Sequence, residues 1–186
     1  VIGFLDSPAF SVERGCYEEP FTLELSSPDP LAVIRFTTDG SAPAGPNDGA
    51  PYRGPIEIAG TRTVRAASFR EGYEPSDVMT HSYVFLAQVV RQDNTHPGYP
   101  SSWSGRPADY EMDPEVVGEN DLFDGVYRES IVDDLKDIPT LSITMDRKDL
   151  FGSRGIYVNS QAEGVGWDRP ASVELFAPQG GEEGFQ

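Results

Sequence analysis

The sequence predicts a mainly β protein in which a two-sheet β-sandwich is followed by a smaller α+β segment. From about residue 7 to residue 85, short strand-like runs alternate with turn residues every eight to twelve positions, a spacing typical of sandwiches. Gly and Pro account for 19 and 16 of the 186 residues, which suits many tight turns. A helical period of apolar residues occurs only after residue 120.

The first half supplies the strands of the predicted sandwich. Strand-like runs lie at 21–26, 32–38, 56–58, 63–69 and 79–85. Period-two alternation places Leu23 and Leu25 on one face of the first run, and it places Tyr83 and Phe85 together on the inner face of the last. His81, a neighbour of Ser82 in that last run, is expected at the surface or at a sheet edge.

The second half is organised differently. Residues 87–119 are rich in Pro, Gly, Ser, Asp and Asn, which predicts a linker or a long ordered loop. Strands are predicted at 140–145, 155–158 and 171–176. We therefore expect the sandwich at 1–86, the linker at 87–119 and the α+β segment at 120–186.

One amphipathic helix is predicted in the α+β segment. Its apolar face consists of residues spaced by three or four positions, namely Phe123, Tyr127, Ile131, Leu135 and Ile138. Asn120 or Asp121 can cap its start, and Pro139 is expected to end it.

A series of motifs in the first half resembles a known module. The motifs are Phe36-Thr-Thr-Asp-Gly-Ser-Ala-Pro43, Tyr52-Arg-Gly-Pro-Ile56, Thr63-Val-Arg-Ala-Ala67, Gly72 and Ser82-Tyr83. In this order they resemble the chitobiase/β-hexosaminidase C-terminal-type module, with Phe36 where that family usually has Tyr. The resemblance covers residues 7–85 and implies an immunoglobulin-like sandwich, a non-catalytic accessory of bacterial extracellular and surface proteins. It brings no catalytic residue, and it implies an extracellular or cell-surface location.

A second resemblance lies in the α+β segment. It rests on Ile138-Pro-Thr-Leu-Ser142, Asp149-Leu-Phe-Gly152, Gly155-Ile-Tyr-Val-Asn159 and Trp167-Asp-Arg-Pro-Ala-Ser-Val-Glu-Leu175. These stretches look like the opening of a CotH-type, kinase-like domain. In that family the opening comes before the conserved body of the domain, so the resemblance implies no catalytic residue within 138–186.

Charge and residue counts exclude several functions. The formal net charge of −17 repels phosphate backbones, so nucleic-acid binding is not expected. No run of 18 apolar residues occurs, so we expect no membrane insertion. His81, His96 and Cys16 are too few for a zinc site or a histidine-based active site, and no cofactor is expected. The best candidates for a metal are Asn47 and Asp48, in an Asn-Asp-Gly loop that would bind calcium.

Aromatic residues are the remaining candidates for binding. Tyr99, Trp103 and Tyr110 stand in the Pro- and Gly-rich linker, where they either stack on sugar rings or a partner protein, or anchor the loop to a core. Three functions therefore stay open. The first is a structural or interaction module that binds other chains or copies of itself through sheet edges. The others are the front part of a CotH-like kinase and a polysaccharide-binding module.

Overall fold

The computed structural model describes residues 3–103, 105–118 and 121–178, with Trp103 described by its backbone alone. Strands dominate these ranges. They are β1 (Ala9–Phe10), β2 (Gly15–Cys16), β3 (Phe21–Leu23), β4 (Leu25–Ser26), β5 (Val33–Thr37), β6 (Ala50–Pro51), β7 (Ile56–Ile58), β8 (Arg62–Phe69), β9 (Met79–Val84), β10 (Ser102–Trp103), β11 (Arg106–Pro107), β12 (Thr140–Thr144) and β13 (Ser172–Phe176). The predicted mainly β class is confirmed.

The helices are short. They are α1 (Leu86–Val89), α2 (Pro114–Val117), α3 (Val126–Lys136) and α4 (Arg147–Phe151), with one 3₁₀ turn at Val165–Trp167. Within the described ranges, none of them has both the length and the apolar character needed to cross a membrane.

Two layers of strands form the sandwich. One layer is a five-stranded sheet in the order β2-β9-β8-β5-β6, in which β2 runs parallel to β9 and the other neighbours are antiparallel. The opposite layer consists of the pairs β3-β7 and β1-β4. Leu23 and Ile58 from the pairs share one buried cluster with Val64 and Tyr83 from the sheet, so the core lies between the layers.

The inner faces follow the predicted alternation. Leu23, Leu25, Tyr83 and Phe85 are all buried in the core, as expected. His81 is buried as well, so its predicted surface position is wrong. It lies two residues before Tyr83 on β9 and therefore points into the same core, where its ring stacks on Phe10 at a centroid distance of 4.2 Å.

Helix α3 begins later than the sequence predicts. Asp124 and Gly125 adopt left-handed conformations, with φ of 55° and 83°, and the helix begins at Val126. Asp121 does not cap it directly, because its carboxylate accepts the amides of Phe123 and Gly125 in the preceding turn. Asn120 lies outside the described residues. The helix ends at Lys136, three residues before Pro139, as expected.

The strand predicted at 155–158 is not formed. The amides of Ile156 and Tyr157 donate to the carbonyls of Asp149 and Leu150, at 2.9 and 3.0 Å. These bonds fold the segment back onto α4, so those amides are not available to a β-ladder. The strands predicted on either side of it are formed. β12 pairs with β13 in antiparallel orientation, and Ser142 lies opposite Glu174. We call this strand pair the hairpin, although residues 145–171 connect its two strands.

Candidate functional site at the junction of sandwich and hairpin

A buried glutamate joins the hairpin to the sandwich. Glu174 on β13 is fully buried, and its carboxylate accepts the Ser82 amide at 3.0 Å and the Ser82 hydroxyl at 2.5 Å. The Ser82 Oγ atom also lies 2.9 Å from Ser142 Oγ and 3.0 Å from Thr63 Oγ1. We call these four residues the polar junction. It fixes the hairpin against β9 on the face of the sheet opposite the core.

The environment of Glu174 favours its neutral form. Burial raises the pKa of the Glu174 carboxyl, while hydrogen bonds from Ser82 and Ser142 and the charge of Arg14 act in the opposite direction. Ser82 is itself only 4% exposed, which leaves no room for a substrate beside its hydroxyl. The chemistry of this cluster is therefore that of a structural contact rather than of a nucleophile and base.

A groove of about 1010 Å³ opens next to the polar junction. Its walls come from β2, α1, α3 and the end of the hairpin. Apolar side chains from each of these helices and from β13 line it, including Leu86, Val132, Leu135 and Phe176. Cys16 of β2 lies in the groove wall, and burial raises the pKa of its thiol above the ordinary value.

The two cations of the groove, Lys136 and Arg14, interact electrostatically with carboxylates. Lys136 Nζ contacts Glu18 Oε1 at 2.6 Å and Asp133 Oδ1 at 3.1 Å, and these hydrogen bonds raise the pKa of the lysine. Arg14 lies in the field of Glu174. With Glu13 also in the lining, the groove carries no excess of positive charge within an acidic chain.

The hairpin turns apolar side chains away from the sandwich. Leu141, Ile143 and Val173 are 55%, 61% and 38% exposed, and Ile143 lies opposite Val173 in the ladder. Their neighbours in sequence, such as Glu174, point to the polar junction instead. This reverses the usual order of a docked strand pair, in which the apolar face is the covered one. We call Leu141, Ile143 and Val173 the hairpin face.

Two of the three predicted aromatic residues lie together. The rings of Tyr99 and Tyr110 meet edge to face with centroids 5.9 Å apart, and Phe151 of α4 meets Tyr99 at 5.6 Å. His96 packs against both tyrosines. Tyr99 remains 43% exposed, and the side chain of Trp103 lies outside the described residues. The cluster anchors the linker to α4, and a role in sugar binding stays a prediction.

The predicted calcium ligands lie on an exposed turn. Asn47 and Asp48 are exposed, and the Asp48 amide donates to the Gly45 carbonyl at 3.0 Å. Nowhere in the described part of the chain do three or more His, Cys, Asp or Glu side chains come together as a group that could hold a metal ion. Calcium binding at this turn also stays a prediction.

Most of the sandwich is similar to a known family of domains. Residues 12–80 match the chitobiase/beta-hexosaminidase C-terminal domain. The family expected from the motifs is therefore confirmed for this part of the chain. The matched residues run from the segment before β2 into β9, so they include most of the buried core. No sequence among the curated proteins matches the chain.

The polar junction is the part of the site that sequence reasoning missed. Glu174 follows an exposed apolar residue in an alternating run, and such a position ordinarily faces solvent. The available signal was the outer face of β8, where Arg65, Ala67 and Phe69 alternate with the core residues. All three are buried, so the outer face of the five-stranded sheet is covered too.

Proposed function

We propose that this chain is a non-catalytic interaction module of an extracellular or cell-surface bacterial protein, and that the hairpin face is its contact surface. The match of residues 12–80 to the chitobiase-type domain supports an accessory role. The function is carried by one observation, the exposure of the hairpin face described above.

Exposed apolar side chains are unevenly distributed along the described residues. Residues 3–86 expose Phe4, Leu31 and Val33 among the large apolar side chains, whereas residues 122–173 expose twelve. Monomeric domains rarely leave so many apolar side chains in water, and a concentration of them is typical of a surface that another chain covers. A spacer with no contact surface would not need them.

Copies of the same chain are the proposed partners. In the described residues, β12 pairs only with β13 and β13 only with β12, so the outer edge of each strand lacks a ladder partner. A hairpin from a second copy can add to such an edge and cover Ile143 and Val173 at the same time. Because each copy carries a net charge of −17, this apolar contact should strengthen when salt screens the repulsion.

Light scattering over a range of protein and salt concentrations tests the proposal. We expect the mass to rise with both concentrations in the wild type and to stay monomeric in Ile143→Lys, which places a charge on the hairpin face. Leu31→Lys is the matched control, because Leu31 is 67% exposed in a turn of the sandwich. A wild type that is monomeric throughout, or equal behaviour of the two variants, would contradict the proposal.

The front part of a CotH-like kinase is the second candidate. The exposed hairpin face favours it too, since the apolar side chains of residues 122–173 would then pack against further elements of the same domain. In that case the native subunit is heavier than the 20.3 kDa of this sequence. Intact mass spectrometry of the native protein separates the candidates, because a subunit of this mass contradicts the kinase reading.

A further inference from the structure

We infer that the groove beside β2 is a binding site for an extended polypeptide segment with an apolar middle and basic ends, which adds to the free edge of β2. The inference deepens the proposed function, on which it rests, by naming a second contact surface and the chemistry of its partner. Two independent observations carry it, an unpaired backbone and an apolar groove around it.

The unpaired backbone belongs to Cys16. In the parallel pair of β2 and β9, Cys16 lies opposite Val84, and the Tyr17 amide donates to the Val84 carbonyl at 2.8 Å. Since successive residues of a strand direct their amides and carbonyls to opposite sides, those of Cys16 point away from β9. Outside the ladder with β9, neither group has a hydrogen-bond partner in the part of the chain that the structure describes.

The apolar groove faces this edge. Leu86 of α1, Val132 and Leu135 of α3 and Phe176 of β13 surround a volume of about 1010 Å³ that is open to solvent. A volume of this size lies at the upper end of ligand pockets and is lined mainly by apolar side chains. Packed interiors leave few voids larger than a water molecule, so this groove is not a packing defect of the sandwich.

Only an extended polypeptide can both pair with the backbone of Cys16 and fill the apolar groove. A helix already uses its amides and carbonyls internally, and an acyl chain has none, so neither would pair with Cys16. An added strand pairs with Cys16 through two backbone hydrogen bonds, and its alternate side chains point into the groove. The partner is thus a peptide strand with apolar residues at every second position.

The charge of the protein indicates which residues the ends of the bound peptide should carry. Glu13, Glu18 and Glu19 flank Gly15–Cys16, and Arg14 is the one cation in this stretch of sequence. Lys136 is already paired with Glu18 and Asp133. With a net charge of −17, the chain attracts a basic segment to this edge and repels an acidic one.

The only thiol of the sequence reports on the site directly, because Cys16 lies in the groove wall. The experiment measures the rate at which neutral N-ethylmaleimide labels Cys16 in the full chain. The probe is a nine-residue acetylated peptide of alternating Val and Thr with Lys at both ends, used up to about 1 mM, the weak end of specific affinities. We expect it to slow labelling at least fivefold, and we expect added salt to restore the rate.

Matched peptides and variants test each part of the inference. The same peptide with Glu ends, and the Lys peptide with N-methyl groups on alternate amides, should give no protection. Val132→Asp, in the groove wall, should abolish protection, whereas Ile131→Asp on the same helix but outside the groove should retain it. Equal protection by the N-methylated peptide, or no protection by any peptide, would overturn the inference.

Other segments that could fill the groove predict different labelling results, and each of those results would overturn the inference. If residues 179–186, which follow the groove-lining Ala177, filled the groove, the thiol would label slowly without peptide at every protein concentration. If a second copy filled it, labelling would slow as the protein concentration rises. The failure of this inference is distinct from that of the proposed function, because salt weakens peptide protection but strengthens association through the hairpin face.

Discussion

Replacing Glu174 by Ala should destabilise the protein by about 3 kcal/mol. The substitution leaves the Ser82 amide and hydroxyl without the acceptor that they contact at 3.0 and 2.5 Å. A buried donor left unsatisfied costs about 1–3 kcal/mol. The two donors belong to one residue and relax together, so their costs do not add in full. The loss of one buried methylene group adds about 0.8 kcal/mol, so the expected total is about 3 kcal/mol.

Urea unfolding followed by fluorescence measures this change. Glu57→Ala is the matched control, because Glu57 is an exposed strand residue on β7, and we expect it within about 0.5 kcal/mol of the wild type. Hydrogen exchange at the Ser82 amide gives the local readout, which should speed up in Glu174→Ala alone. If Glu174→Ala also stays within about 0.5 kcal/mol and its Ser82 amide stays protected, the polar junction does not hold the hairpin.

Glu174→Gln separates the charge of the junction from its shape. Burial raises the pKa of Glu174 in the folded protein. At a pH between the pKa of the unfolded chain and that of the folded protein, folding is therefore accompanied by uptake of a proton. The contribution of Glu174 to the free energy of unfolding is therefore greatest below the ordinary pKa of 4.5, and it is lost as the pH rises through the pKa of the folded state. Because Gln resembles the neutral acid, the variant should gain stability relative to the wild type as pH rises. A difference that is independent of pH would refute the raised pKa.

Two further predictions concern the sandwich and the linker. Gly49 has a φ of 70°, and a Cβ there would lie 2.5 Å from a carbonyl oxygen of β5, so Gly49→Ala should lower stability by about 1–3 kcal/mol in thermal unfolding. Gly54→Ala, which meets no atom within 4 Å, is its control, and equal melting temperatures would be evidence against the predicted strain. If the chain binds polysaccharide through Tyr99, Trp103 and Tyr110, changing all three to Ala should abolish retention on an insoluble glycan, and unchanged retention would exclude that role.

The sequence alone determined the sandwich and its core. Tyr83 and Phe85 are buried as the alternation requires, because a strand directs every second side chain to the same face. The motifs within residues 36–72 predicted a resemblance to the chitobiase-type module, and the match at residues 12–80 agrees with it. Local patterns were sufficient, because short stretches of sequence specify which side chains face the core and where the turns between strands lie.

Tertiary structure alone decided what lies outside that core. Period-two alternation assigns β13 two faces but does not say which face is covered, and the apolar one that contains Val173 is the exposed one. Glu174 became a buried contact because Ser82, 92 positions away in sequence, supplies its donors. The groove at Cys16 likewise exists because β2, α1, α3 and the hairpin meet there. Such contacts depend on distant segments, and no local pattern of residues specifies them.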